Sequence, residues 1–108
     1  MGLFSKKQKV DFANKTDTQI IEIYNGLGRK QKDEVLDFFR KNVAMIQAVA
    51  DVKKIPLNQF NIAKEREGYY PAMFYGLSTY TELKHVYDLI SRQWYFQSVW
   101  KVVIYGIV

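Results

Sequence analysis

The sequence predicts a mainly α protein: a small single-domain helical bundle of three to four helices, with a short C-terminal strand as the alternative ending. Three observations carry that expectation. Two segments match the Ser/Thr-x-x-Glu/Gln capping box, Thr16-Asp17-Thr18-Gln19 and Thr79-Tyr80-Thr81-Glu82, in which side chain and backbone satisfy each other's exposed donors at a helix start. Val35, Leu36, Phe39, Val43, Ile46 and Ala50 recur at spacings of three and four, the period of one helical face. A chain of 108 residues with 48% hydrophobic side chains and no cysteine is long enough for a single core without disulfides or metals.

Residues 1–14 carry Lys6, Lys7 and Lys9 without sustained periodicity and are expected to form a flexible basic tail, with Leu3, Phe4, Val10 and Phe12 as tethers to the domain at 15–108. The first capping box then opens a short helix. Its apolar side is Ile20, Ile21, Ile23, Tyr24 and Leu27, and Gly26 with Gly28 offers permissive backbone for its end. In the second helix Asp33 and Glu34 favour the positive helix start, while Lys53 and Lys54 complement the negative end. Ile55 precedes Pro56 and is pushed out of helical geometry, so the helix stops there.

Pro56 is placed to open a third helix over 56–68, with Leu57, Phe60 and Ala63 inward. Phe60 and Ile62 also alternate as in a strand. Pro71 and Gly76 interrupt the aromatic stretch that follows, which predicts an irregular connection with at most one helical turn. After the second capping box Leu83, Val86, Tyr87, Ile90 and Trp94 form one stripe. Beyond Trp94 nearly every residue is apolar, so this element is expected at the centre of the bundle, helical to Trp100. A strand over 99–105 competes, because Val102, Val103 and Ile104 are β-branched.

Chemistry is sparsely marked. His85 is the one histidine and stands three residues before Asp88, which on a helix makes an ordinary surface pair. Asp33 and Asp37 share a face four residues apart, beside Arg29, Lys30 and Lys32, where ion pairing is the expectation. No nucleophile–base constellation, metal-ligand spacing or phosphate-binding glycine fingerprint occurs. No catalytic residue, cofactor or metal is therefore assigned, and the chain is expected not to be an enzyme.

Binding is better signalled. Of the 17 aromatic residues, 11 lie in the last 40 positions, more than a small core needs, and Tyr and Trp suit surfaces with one apolar and one wet edge. The connection carrying Tyr69, Tyr70, Phe74, Tyr75 and Tyr80 is the predicted partner-binding surface, because binding residues concentrate on loops held by a rigid scaffold. The first expectation is a small regulator or inhibitor that acts through protein–protein contacts.

The net charge of +5 makes a nucleic-acid or anionic-lipid partner the alternative. Helix one, a glycine-containing turn and helix two resemble the helix-turn-helix plan in outline, with Arg29, Lys30, Lys32, Arg40 and Lys41 placed to meet phosphates. The pattern departs from that plan at Glu22, where a small residue would pack, and at Asp33, Glu34 and Asp37, which repel a DNA backbone. A peripheral membrane or membrane-protein-binding role of immunity type is the third expectation, since the apolar C-terminal run falls short of the roughly 20 residues that span a bilayer. A copy of the chain itself is a further candidate partner. The opening residues lack a secretory h-region, which together with the missing cysteines predicts a cytoplasmic protein. Size, lysine excess over arginine and the lack of catalytic marks suggest a phage or mobile-element protein, although no motif identifies a family.

Overall fold

The computed structural model describes residues 10–65 and 75–101, with side chains as far as Phe96. It is a small mainly α domain of three helices: α1 (Asp17–Asn25), α2 (Arg29–Lys53) and α3 (Tyr80–Lys101), with a 3-10 turn at Leu57–Gln59 between the last two.

Both capping boxes form. The Thr16 hydroxyl accepts from the Gln19 N–H at 3.1 Å while the Gln19 side chain accepts from the Thr16 N–H at 2.9 Å. At α3 the Thr79 hydroxyl accepts from the Glu82 N–H at 3.1 Å, and the Glu82 carboxylate accepts from the N–H groups of Ser78 and Thr79 at 3.0 and 3.3 Å. The ends of the first turn differ from expectation. Gly26 keeps right-handed backbone (φ −82°), and Gly28 is the N-cap of α2 in extended geometry. Helix α2 thus starts at Arg29, so Arg29, Lys30 and Lys32 occupy its opening turn and Asp33 and Glu34 follow it. At the other end Lys54 adopts left-handed backbone (φ 59°) and the Ile55 N–H reaches back to the Ala50 carbonyl at 2.9 Å, a Schellman-type stop just before Pro56.

The predicted helix over 56–68 is corrected. Among its described residues, 56–65, only the turn at Leu57–Gln59 is helical. Phe60 and Ile62 are buried on either side of exposed Asn61, and Asn61 makes an isolated antiparallel bridge with Thr79. The Ile62 N–H donates to the Ser78 carbonyl at 2.7 Å and the Tyr80 N–H to the Phe60 carbonyl at 3.1 Å. Two-residue alternation places both large side chains inward, which a helix through the same stretch would not do.

Val10 and Phe12 tether the N-terminal segment as expected, while Leu3 and Phe4 lie outside the described residues. Val10 and Phe12 are buried, the Phe12 N–H donates to the Tyr75 carbonyl at 3.0 Å, and the Phe12 ring meets Phe39 edge-on at 5.8 Å. Gly76 makes this close approach feasible: its φ is +79°, and a Cβ there would meet the Asp11 carboxylate and lie 2.9 Å from the Ala13 Cβ.

Helix α3 packs against α1, α2 and the 3-10 turn. Asp17 meets His85 and Asn25 meets Gln93, so α1 runs parallel to α3. Gln47 meets Tyr80 at the start of α3, whereas Asp33 shares a groove with Trp94 near its end, so α2 runs antiparallel. The core between them contains Ile20, Tyr24, Phe39, Ile46, Leu83 and Ile90, with Val35, Val43, Val86 and Leu89 around them. Burial along α3 ends at Ile90 among the described side chains. The Asn25–Gln93 contact marks the level at which α1 turns back into α2, and α3 continues past it to Lys101, roughly 12 Å of helix.

Candidate functional site: an aromatic groove between α2 and α3

The overrun of α3 exposes what was expected to be core. Trp94, Tyr95 and Phe96 are 45%, 61% and 55% exposed, which corrects the central placement for these three residues; the side chains of the rest of the run lie outside the described residues. Three successive residues project over an arc of about 200° around a helix. One neighbouring surface cannot bury all of them, and beyond the α1–α2 turn few walls remain.

On the flank facing α2 the Trp94 and Tyr95 rings close one side of a groove of about 560 Å³. Helix α3 contributes Tyr87, Ser91, Trp94 and Tyr95, each one turn from the next or adjacent to it. Helix α2 contributes Asp33, Leu36, Asp37 and Arg40, likewise along one face. The floor and one wall are aromatic and aliphatic, and the α2 lip is charged. Asp37 is ion-paired with Arg40 and, at 3.1 Å, with Lys41. The hydrogen bond from Lys41 and the positive charges of Lys41 and Arg40 hold the Asp37 carboxyl below the usual carboxylate range. Asp33 is exposed and makes no ion pair among the described residues.

The predicted aromatic surface is placed differently. Tyr69, Tyr70 and Phe74 lie outside the described residues. Tyr75 is half-buried, its ring stacked on Phe12 at 6.0 Å and set against Phe38 and Phe39 at 5.0 and 5.1 Å. Burial, with the nearby Glu34 charge, pushes its hydroxyl above the ordinary tyrosine range. Tyr80 is 7% exposed and its hydroxyl accepts from Gln47 Nε2 at 2.7 Å. Both residues pack against α2, Tyr75 half-buried on Phe38 and Phe39 and Tyr80 buried with its hydroxyl on Gln47.

The five basic residues are spread along α2 in different surroundings. Arg29 and Lys30 are exposed at the uncapped start of α2. The Lys32 ammonium stands 5.9 Å from the centre of the Tyr24 ring. Arg40 and Lys41 are committed to Asp37 further along the helix. His85 does not pair with Asp88: its Nε2 lies 2.7 Å from Asp17 on α1, and Asp88 takes Lys84 at 2.9 Å. That hydrogen bond to Asp88 raises the Lys84 pKa. Among the described residues no three histidine, aspartate or glutamate side chains converge on a metal-sized site.

By spacing Tyr87 and Trp94 continue the apolar stripe of α3, while the consecutive aromatics Trp94, Tyr95 and Phe96 are a sign that one side of the helix faces outward. No described helix is long and apolar enough to cross a membrane. No protein-family model, curated protein or solved structure matches this chain, so its function rests on the site alone.

Proposed function

We propose that this chain is a non-enzymatic protein-binding module, a small regulator or inhibitor acting in the cytoplasm, and that it docks its partner on the α2–α3 groove and the projecting aromatic end of α3. One observation carries the proposal: Trp94, Tyr95 and Phe96 stand exposed in succession on α3, just past the level at which α1 ends. Aromatic side chains are the commonest anchors of protein interfaces, and a rigid helix presents them with little ordering cost on binding. Helix walls on both sides suit a helical segment of the partner laid into the groove.

The test is capture of binding partners from the native cell with the tagged full chain, with and without nuclease. A protein retained through nuclease treatment by the wild type and by Arg29→Ala/Lys30→Ala, but lost by Trp94→Ala/Tyr95→Ala, supports the reading. Trp94 and Tyr95 are 45% and 61% exposed, so truncating them removes part of an aromatic's packing, and a cooperative urea transition of the variant is the control that it remains folded. Capture that vanishes with nuclease and needs Arg29 and Lys30 would instead favour a nucleic-acid role for the start of α2. Flotation with anionic vesicles through Trp94 would favour the membrane-surface role.

A further inference from the structure

We infer that the α2–α3 groove receives a cationic side chain, most specifically an arginine, projected by an apolar helical segment of the partner protein; this deepens the docking role proposed above and rests on it. The charge pattern points that way. The chain as a whole is basic, at +5, yet the groove is lined by two carboxylates against one guanidinium. Arg40 is spent on Asp37. Asp33 is left exposed at the lip with no ion pair among the described residues, so the groove offers a partner negative charge on a positively charged protein.

The aromatic wall adds a second preference for the same ligand. Tyr87, Trp94 and Tyr95 line the groove opposite Asp33, and indole and phenol faces attract a cation through their quadrupoles, Trp most strongly. Arginine satisfies both walls together, because its planar guanidinium stacks on an aromatic face while its N–H fork pairs with a carboxylate. Lysine supplies only a point charge. Leu36 and the ring of Tyr87 leave apolar surface beside that spot for the neighbouring side chains of the partner helix. The α2 wall from Asp33 to Arg40 is roughly 10 Å long, about two helical turns, which matches anchors spaced three or four residues apart. An acidic or phosphorylated segment would meet Asp33 with like charge.

The probe is a displayed library of 14-residue helical peptides (a length of roughly four turns) randomised on one face and selected against the full chain. Enrichment of Arg between apolar residues, dependent on Trp94, is the expected result. A selected Arg peptide should then lose about ten- to a hundredfold in affinity against Asp33→Asn, as removal of a charged hydrogen-bond partner does. Replacing its Arg with citrulline should cause a similar loss, and Asp33→Asn should not weaken the citrulline peptide further. Enriched peptides that bind through Trp94 and Tyr95 but carry no cation would overturn the inference and leave the docking role standing. Peptides whose binding ignores Trp94 and Tyr95 would remove both. A concentration-dependent dimer in sedimentation that dissociates in Trp94→Ala would put a second copy in the groove and overturn the inference as well.

Discussion

Truncating Tyr75 to Ala tests whether the aromatic connection is core or contact surface. A fully buried aromatic costs roughly 3–5 kcal/mol when cut to Ala. Tyr75 is half-buried, which removes about half of that, but its ring lies 5.0–6.0 Å from those of Phe38, Phe39 and Phe12, and such ring pairs add about 0.5–1.5 kcal/mol beyond area. The expected loss is therefore about 2–3 kcal/mol, a large share of the roughly 5–15 kcal/mol that stabilises a domain. Urea unfolding of the full chain followed by far-ultraviolet circular dichroism measures it, with an unchanged denaturant slope showing that the transition stays two-state. Tyr75→Phe keeps the ring and should retain all but about 1 kcal/mol. A Tyr75→Ala loss under about 0.5 kcal/mol would refute the packing assignment and return Tyr75 to the solvent-facing role that the sequence suggested.

Three further outcomes are expected. Gly76→Ala should destabilise by at least about 2 kcal/mol in the same assay, since left-handed backbone costs a side chain roughly 1–2 kcal/mol and the new Cβ would press on Asp11 and Ala13; a neutral variant would mean that residues 10–14 do not pack here. Lys54→Gly should stabilise by about 0.5–1 kcal/mol, because Lys54 now occupies the left-handed position that glycine adopts freely at helix ends, and a loss would show that the lysine side chain matters more than its backbone. Stability should also fall in alkali. Burial, with the Asp33 charge, raises the Tyr24 hydroxyl above its ordinary value of 10.0, and Tyr75 is raised in the same sense. Above that pH the unfolded chain gives up protons that the folded chain keeps, so this contribution is full below about pH 10 and is lost as pH rises through the folded values. Unfolding free energies from pH 8 upward should show the decline, and Tyr24→Phe should flatten it; an equally steep decline in that variant would exonerate Tyr24.

What was legible in the sequence was local, and what was missed depended on where a neighbouring element stops. The capping boxes at Thr16 and Thr79 and the stripe from Val35 to Ala50 are written within a turn or two of chain, and each recurs in the structure. The start of α2 carries no such mark, because Gly28 has no side chain with which to cap it, and the acidic pair at Asp33 and Glu34 drew the expected boundary inward. Phe60 fits either period, three residues after Leu57 on a helix or two before Ile62 on a strand, and only the Thr79 bridge decides between them. The groove was least legible of all. Trp94 continues the stripe of Leu83, Val86 and Ile90, and by periodicity alone it belongs in the core. It is exposed where α1 ends at Asn25, level with Gln93, so that α1 gives Trp94, Tyr95 and Phe96 no cover. A stripe states which face of a helix is apolar; the lengths of the elements beside it decide how much of that face is covered. In this chain the uncovered remainder is the part that the proposed docking role uses.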